Sequence, residues 1–434
     1  MHRIAISGLV ALAAVLGGVA VPATAVAQDT TMAQPTAAVR PNTALTPQAA
    51  VGDGLSSGPL VSCTLTTDCL GVDGSSSVST GGTGTPNRVA RWNGSSWKGV
   101  GMALPKGTRS DDLLGVSCRG AKSCLVVGDY YTSTSAQAEN HALALSYNGT
   151  SLRPTPPVPL PKGTTAAELA GVSCATATHC VAFGVADGNA KEFGDSGALN
   201  ILETWNGARW TLHAVTTAAG VMLDFSGITC PTSAFCVVAG TREGEGINES
   251  SSPPSPLYLA SWNGVKLTTM KPAAPGGSSV FAEFYGVSCG TPSNCAAVGN
   301  SAGTSATSLT SFTDSWNGKT WRLATVAWPK GTAESVLLDV SCYAARSCEA
   351  VGLTAANSAA TQFDAAAVSF NGTAGTLQAT PAPPKGYSSV FGALSCLPWG
   401  SCVAIGAIGK PTAKSAALTT GVWNGKAWKL DPGL

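Results

Sequence analysis

The chain has 434 residues, of which 44% are apolar and only 11% are charged, and its formal net charge is +1. This composition argues against a disordered chain. Near-neutral charge leaves no electrostatic footprint for DNA, RNA or an anionic membrane, so we expect no nucleic-acid partner. The 51 glycines and 26 prolines are typical of an all-β protein with many turns.

The N-terminus has the features of a secretory signal peptide over residues 1–27. A short basic start, His2-Arg3, precedes an apolar run, and Ala25-Val26-Ala27 offers a small-x-small cleavage site. The alternative is a membrane anchor, but the run is short and rich in Ala and Gly. Residues 28–54, rich in Thr, Ala, Pro and Gln, are predicted to be a flexible linker. We therefore expect a secreted, extracellular protein without a membrane span.

One sequence pattern recurs seven times in the rest of the chain: an apolar residue, any residue, Cys, five residues, Cys and a short apolar run. The first cysteines of successive pairs are 55, 56, 56, 59, 53 and 54 residues apart. A period this regular indicates a repeat architecture. The pairs are Cys63 and Cys69, Cys118 and Cys124, Cys174 and Cys180, Cys230 and Cys236, Cys289 and Cys295, Cys342 and Cys348, and Cys396 and Cys402.

The cysteine pairs could form disulfides or ligate zinc. Structural zinc sites usually combine two pairs of shorter spacing, and the four histidines of this chain occupy no repeated position. An even count with no cysteine left over, in a chain with an export signal, favours a disulfide within each pair. We expect no metal and no cofactor.

Each repeat of about 54 residues has the pattern of four short antiparallel strands. In the fifth copy, Glu283 to Cys289 alternates large and small residues, and a second strand begins at Cys295. A third strand leads to Trp316, where Asn317-Gly318 is a hairpin signal because both residues tolerate positive φ. The aromatic-Asn-Gly turn recurs in all seven copies. Because the Cys turn follows the first strand and the Asn-Gly turn follows the third of four antiparallel strands, we expect both turns to lie at the same end of each sheet.

In four copies a tryptophan follows this asparagine by four positions. Such residues could be ligand-stacking platforms, but repetition at one structural position favours apolar pegs that anchor the fourth strand. They are Trp97, Trp210, Trp321 and Trp428.

Seven small sheets can bury their faces by stacking around an axis, so residues 55–434 are predicted to form a seven-bladed β-propeller with one disulfide per blade. Separate small domains and an open solenoid are the alternatives, and the latter would need atypical end repeats. The chain begins with a first strand and ends with a fourth, Trp428-Lys429-Leu430. With no strand left to exchange, the disulfides and the packing of the first blade on the seventh must close the ring. We expect a monomer.

The order of the strands and the turn Ser315-Trp316-Asn317-Gly318-Lys319-Thr320-Trp321 resemble the sialidase-like propellers with BNR or Asp-box repeats. In that family an S-x-D-x-G-x-x-W turn joins the third and fourth strands of a blade. Here Asn directly precedes Gly and the aspartate is absent. The resemblance implies a propeller over residues 55–434; the family's arginine triad and tyrosine nucleophile have no identifiable counterparts. The chain also resembles exported bacterial proteins built from GVSC-type repeats.

Candidate ligand-binding residues lie in the loops between blades, where Pro-Lys-Gly recurs four times. The lysines could form a ring that attracts an anionic glycan or phosphate polymer, or they could sit in ordinary solvated turns. They are Lys106, Lys162, Lys330 and Lys385. Asp187-Gly188-Asn189 is similar to the start of a calcium loop but lacks the remaining ligands.

Two functions remain. We favour a non-enzymatic binding or adhesion propeller that contacts polysaccharide, cell-envelope material or another protein, an unknown glycan or protein ligand, through its loop-rich face. The alternative is a divergent glycan-acting hydrolase or lyase. An enzyme should gather two or more carboxylates or a histidine at the mouth of the central channel on that face. We expect no such cluster, and clustered acids there would contradict the preference for binding.

Overall fold

The computed structural model describes residues 60–73, 77–78, 89–133, 139–188, 197–215, 221–244, 257–273, 275, 279–303, 309–356, 362–372, 374–411 and 416–431. This part of the chain is all-β: it contains thirty strands and no helix, so it has none that could cross a membrane. The predicted signal peptide and the predicted linker both lie outside the described residues.

Twenty-eight of the described strands form seven four-stranded antiparallel units, numbered here in chain order. Units 1 to 3 comprise β1 (Leu60–Leu65), β2 (Asp68–Val72), β4 (Val89–Trp92) and β5 (Trp97–Gly99); β7 (Ser110–Gly120), β8 (Ser123–Tyr131), β9 (Asn140–Tyr147) and β10 (Ser151–Pro154); and β11 (Thr164–Thr176), β12 (His179–Gly188), β13 (Ala198–Trp205) and β14 (Trp210–Ala214). Units 4 and 5 comprise β15 (Val221–Thr232), β16 (Phe235–Gly244), β17 (Leu257–Trp262) and β18 (Leu267–Met270); and β19 (Ser279–Thr291), β20 (Asn294–Gly303), β21 (Leu309–Trp316) and β22 (Trp321–Val326). Units 6 and 7 comprise β23 (Glu334–Ala344), β24 (Ser347–Ala355), β25 (Phe363–Phe370) and β26 (Ala374–Gln378); and β27 (Ser388–Cys396), β28 (Cys402–Gly409), β29 (Ala417–Trp423) and β30 (Trp428–Asp431).

Within a unit the strands pair in sequence order, first with second, second with third and third with fourth. Two further short strands pair with strands of unit 2. β3 (Ser77–Val78), which follows β2 in the chain, pairs with β7. β6 (Gly101–Met102), which follows β5, pairs in parallel with β10. A parallel pairing of β22 with β26 also joins the outer strands of units 5 and 6. Outer strands of neighbouring units therefore touch at two places in the described chain.

The turn between the two cysteines and the Asn-Gly turn lie side by side at one end of the units, as predicted. The indole Nε1 of Trp92 donates to the carbonyl of Thr66, 3.0 Å away, and that of Trp316 donates to Pro292 at 3.1 Å. A Cβ on Gly207 would lie 2.8 Å from Thr178 of the adjoining Cys turn. We call this end of the units the cysteine end and the opposite end the loop end.

The Asn-Gly turn works differently from the prediction that both residues use positive φ. In unit 5 the φ of Gly318 is 91°, whereas Asn317 is absent from the positive-φ residues of the described chain. Its side-chain Oδ1 instead accepts from the backbone N–H groups of Lys319 and Thr320, both at 3.0 Å. Asparagine is therefore required for its side-chain acceptor, and glycine for its backbone.

A ring of hydrogen bonds connects the first strands of all seven described units. The N–H of each first cysteine donates to the hydroxyl of the Ser or Thr that precedes the first cysteine of the unit before, and unit 1 donates to unit 7. The pairs are Cys118 with Ser62, Cys174 with Ser117, Cys230 with Ser173, Cys289 with Thr229, Cys342 with Ser288, Cys396 with Ser341, and Cys63 with Ser395, all at 2.9–3.0 Å. The Ser of the repeated Val-Ser-Cys sequence is thus the acceptor that joins neighbouring units.

Contacts between the first and last units close the circle elsewhere too. Strand β1 contacts both β7 and β27. The indole of Trp97 in unit 1 donates to the hydroxyl of Thr420 in unit 7 at 2.8 Å, where both groups are buried. This agrees with the expectation that unit 1 packs on unit 7 without strand exchange.

A β-bulge in the first strand explains the glycine that ends the repeated Val-Gly of the second strand. In unit 4 the pairing shifts between Phe225 and Gly227, and a Cβ on Gly240 of the facing strand would lie 2.0 Å from the carbonyl oxygen of Asp224. The same close approach, 1.9–2.1 Å, occurs in units 2 to 7. Only glycine fits at this position, and the bulge re-aims the residues before it.

The core consists of apolar layers between neighbouring units. Leu125 and Val127 of unit 2, for example, pack with Ile201 and Trp205 of unit 3. The four tryptophans of the fourth strands are buried, with exposures of 4–6%, which confirms their interpretation as apolar pegs.

Candidate functional site

Four consecutive units carry a carboxylate at the same place in the first strand, six residues before the first cysteine. Because this place lies early in the strand, it is at the loop end of the unit. All four side chains are half-buried. We call them the carboxylate row: Asp112, Glu168, Asp224 and Glu283.

The carboxylates of this row influence one another. Burial raises the pKa of Glu168 to about 7, with further increases from Asp187 of its own unit and from Asp224 and Asp112 of the neighbouring units. Burial also raises the pKa of Glu283 to about 7, against the hydrogen bond from Tyr285, and Asp224 raises it further. Burial raises the pKa of Asp224 as well. The row is therefore a continuous electrostatic unit that crosses three boundaries between units.

Unit 2 adds a second carboxyl beside the row. Asp129 pairs with Asp112 across β7 and β8 and is 2% exposed. One of its oxygens, Oδ2, accepts from the amide of Asn140 at 2.8 Å, while Oδ1 has no hydrogen-bond partner. Burial raises the pKa of Asp129 to about 7, and Asp112 and Glu168 contribute to the increase. At neutral pH this group is divided between its charged and neutral forms.

Two tyrosines accompany the carboxyl groups. The hydroxyl of Tyr285 donates to Glu283 Oε1, and the charge of Asp129 adds to the effect of burial on the pKa of the Tyr131 phenol. Burial raises the pKa of both phenols, so both stay protonated donors at neutral pH. The row thus combines carboxyl acceptors with phenol donors and aromatic rings.

We expected no cluster of acids at the mouth of a central channel, and the described structure has a row of acids at the loop end. The repeat alignment did contain a signal, since acidic residues fall at one position in units 2 to 5, but each residue taken alone is ordinary. Equivalent positions in units 6 and 7 hold Val336 and Val390. Among the described residues, no three His, Cys, Asp or Glu side chains stand close enough together to hold a metal ion. The carboxyls therefore form a spaced row.

The four lysines of the Pro-Lys-Gly sequences are all exposed, on similar turns just before their first strands. In unit 2, Thr108 N–H donates to the carbonyl of Pro105 at 3.2 Å and Gly107 has φ 91°. The turns before β11, β23 and β27 close in the same way. These are the solvated turns that the sequence offered as the alternative, and ligand binding by the lysines stays a prediction. Of the calcium-like sequence, Asn189 lies outside the described residues.

The fourteen cysteines form seven disulfides, each within one sequence pair: 63–69, 118–124, 174–180, 230–236, 289–295, 342–348 and 396–402. The two cysteines of a pair face each other directly across the first two strands, as Cys118 and Cys124 do. Seven disulfides are consistent with an oxidising compartment.

No family model and no curated protein matches this sequence. Similar solved structures include the uncomplexed acylaminoacyl peptidase of Pyrococcus horikoshii, with a TM-score of 0.47 and 7% identity over 85% of this chain and 52% of that one. They also include a polysaccharide lyase PL25 ulvan lyase, with a TM-score of 0.45 and 8% identity over 75% of this chain and 81% of that one. A third is the Hadza microbial sialidase Hz136, with a TM-score of 0.43 and 10% identity over 77% of this chain and 73% of that one. This chain thus spans about half the length of the peptidase. Likenesses this distant carry no argument about activity.

Proposed function

We propose that the chain is an exported seven-bladed β-propeller, with a signal peptide at 1–27, a linker at 28–54 and the propeller at 55–434. The hydrogen-bond ring between first strands supports this proposal, because a bond from Cys63 to Ser395 requires the last unit to return to the first. The indole bond from Trp97 to Thr420 is a second closing contact. In this arrangement the first strands surround the central channel, and the carboxylate row lies at its mouth on the loop end.

We further propose that the carboxylate row binds a carbohydrate that carries amino sugars. The observation that carries the proposal is the recurrence of a half-buried carboxyl in four consecutive units, in which Asp224 and Asp112 add to the effect of burial on the pKa of Glu168, and Asp224 adds to that on the pKa of Glu283. Carboxylates that raise one another's pKa are stabilised in their charged form by a positively charged ligand. Tyr131 and Tyr285 supply aromatic rings beside them, which suits both a sugar ring and an ammonium group.

The charge of the row also selects against other ligands. A uronic or sialic acid at this place would add a further negative charge to the groups that already raise the pKa of Glu168. The exposed Lys106 and Lys162 of the Pro-Lys-Gly turns lie six residues before Asp112 and Glu168 in the chain. A neutral or basic glycan is therefore favoured over an anionic one.

A second function, glycan hydrolysis, is favoured by a separate observation. Glu168 and Glu283 have pKa values raised to about 7, so each can hold a proton at neutral pH and donate it to a leaving group. The Tyr285 hydroxyl fixes the orientation of Glu283. The clustered acids that the sequence did not lead us to expect thus remove the ground for preferring a non-enzymatic role.

The test is a binding titration of the purified exported protein with glucosamine oligomers, N-acetylglucosamine oligomers and uronic acid oligomers. We expect the glucosamine oligomers to bind more tightly near neutral pH than at pH 5, where the carboxyls are protonated, and more tightly than at pH 8, where the amino groups of the ligand lose their charge. Glu168→Gln and Asp224→Asn should each weaken binding about tenfold or more, since each removes a charged partner. Asp364→Asn, which changes an exposed carboxyl on the third strand of unit 6, is the matched control.

Two outcomes would contradict the proposal: equal affinity for uronic acid oligomers, or unchanged affinity in both row variants. Release of new reducing ends from the same oligomers, abolished by Glu168→Gln, would establish the enzymatic alternative. Binding without such release would establish the non-enzymatic one.

A further inference from the structure

A cavity of about 200 Å³ lies at the cysteine end, between units 2 and 3. The turn between Cys118 and Cys124 lines one side of it, and the turns of unit 3 line the other. It is therefore at the opposite end of the units from the carboxylate row. A water molecule occupies about 30 Å³ of liquid, so this volume suits an oxyanion with part of the group to which it is esterified.

Two cations of unit 2, Arg119 and Lys122, line this cavity. The guanidinium Nε of Arg119 donates to the carbonyl of Cys174 in unit 3, which fixes the plane of the group. Burial lowers the pKa of Arg119, and no carboxylate offsets the effect. Arg119 is exposed at the surface, so its remaining N–H groups are accessible to an oxyanion, which a guanidinium held in one plane can bind through two parallel hydrogen bonds.

The other lining residues suit a polar ligand that has one planar face. Ser123 and Ser146 contribute hydroxyls, and Tyr147 and Trp205 contribute aromatic edges from units 2 and 3. No Asp or Glu lines the cavity. The net charge of the lining is therefore positive.

At the corresponding place between units 1 and 2, the positive charge is neutralised by a carboxylate of the protein. Between units 1 and 2, Arg91 lies beside a cavity of only about 10 Å³. Its Nε lies 2.7 Å from Asp68 Oδ1, so the protein itself supplies the anion. At the boundary between units 2 and 3 the cation is present, the carboxylate is missing and the space is open.

The two basic residues are specific to unit 2 and do not belong to the repeat. The residue after the first cysteine is Thr64, Ala175, Pro231, Gly290, Tyr343 and Leu397 in the other units. The residue two before the second cysteine is Thr67, Thr178, Ala234, Ser293, Arg346 and Gly400. Unit 6 also has a cation at the second position, Arg346, but only unit 2 has one directly after its first cysteine, so the pair of cations is specific to unit 2.

We propose that the cavity formed by Arg119, Lys122, Ser146 and the cysteine turn of unit 3 binds a phosphate or sulfate ester group. Arg119 donates two hydrogen bonds to two oxygens of this group, and the charge of Lys122 offsets its negative charge. The site is independent of the carboxylate row, and the two ends of the protein then take ligands of opposite charge.

The experiment is calorimetric titration of the full exported protein with inorganic phosphate, sodium sulfate and glucuronate at constant ionic strength. We expect saturable binding of one equivalent of phosphate or sulfate; the two titrations show which oxyanion is preferred. Arg119→Gln combined with Lys122→Ala should weaken binding at least tenfold. The matched control is Arg346→Gln, which removes a cation from the same turn position in unit 6 and should leave affinity unchanged.

Two results would overturn the proposal. One is equal loss of affinity in Arg346→Gln and in the double variant, which would mean unspecific charge attraction. The other is no saturable binding to the wild-type protein by any of the three anions. Lys122→Ala alone, at an exposed turn residue, provides a second variant if the Arg119 change disturbs folding, and it should weaken binding in the same direction. Mass before and after reduction checks that each variant retains its disulfides.

Discussion

Replacement of Glu203 by leucine should make the protein less sensitive to pH. Glu203 lies on β13 between Ile201 and Trp205, whose side chains pack against unit 2. Since alternate residues of a strand share a face, Glu203 points into the same apolar layer. It is 0% exposed, and neither of its carboxyl oxygens has a hydrogen-bond partner. The equivalent residue of unit 2 is Leu145, so leucine is already compatible with this position of the repeat.

The size of the effect follows from the protonation of this carboxyl. Burial raises the pKa of Glu203 from the ordinary 4.5 to about 8. Between these values the folded protein holds a proton that the unfolded chain has released, so the free energy of unfolding falls as pH rises. At about 1.4 kcal/mol per pH unit, the loss from Glu203 reaches about 3 kcal/mol at pH 7 and levels off above about pH 8.

The measurement is guanidinium denaturation of the wild-type protein and Glu203→Leu at several pH values from 4.5 to 8.5. The other buried carboxyls affect both proteins alike and cancel in the difference. We expect the stability advantage of the variant to grow by about 3 kcal/mol between pH 4.5 and pH 7. Glu139→Gln, at an exposed carboxyl, is the matched control. A constant difference for Glu203→Leu would refute the reasoning, because the carboxyl would then titrate alike in both states.

Three further predictions concern the repeat. Ser395→Ala removes the acceptor of Cys63 N–H and should lower the free energy of unfolding by about 1 kcal/mol, as Ser173→Ala should at an internal boundary. If Ser173→Ala lowers the stability and Ser395→Ala does not, the ring is open in solution. Gly240→Ala places a Cβ 2.0 Å from a backbone oxygen and should abolish the yield of folded protein, whereas Gly227→Ala, with its nearest neighbour at 3.4 Å, should fold; equal yields would contradict the account of the bulge. Reduction of the mature protein should add fourteen hydrogens to its intact mass, one for each cysteine of the seven disulfides, and free thiols before reduction would contradict full pairing.

The sequence was most informative where one residue type recurs at the same position in several copies. The cysteine pairs and the second tryptophan of the Asn-Gly turn could be interpreted from their spacing because each acts within its own unit. The serine of Val-Ser-Cys also recurs, but its partner is the cysteine N–H of the next unit. For Ser117 that partner is Cys174, 57 residues further on. Local patterns do not contain the register between sheets, so this role became visible only in three dimensions.

Positions that change between copies were harder to interpret. The carboxylate row was missed because the position six residues before the cysteine is acidic in units 2 to 5 and valine in units 6 and 7. Arg119 and Lys122 were missed because single charges in a turn are normally solvated. In both cases the function proposed depends on which units lie side by side, a property of the assembled ring.

The two proposed sites follow from the same physical argument. Seven copies of one unit need the same residues wherever a contact repeats, and the glycine of the bulge, the serine of the ring and the turn asparagine satisfy those needs. A charge that appears in only some copies has no such structural reason, and burial makes it costly. The half-buried carboxyls of the row at the loop end are such charges, and Arg119 at the cysteine end is likewise confined to one unit, although it is exposed. A partner of opposite charge would remove part of that cost. The two ends of the ring should therefore differ in their response to acid. Amino-sugar binding should fail when acid protonates the carboxylate row. Binding of a sulfate ester at Arg119 should persist in acid and be lost only when added inorganic sulfate competes for Arg119.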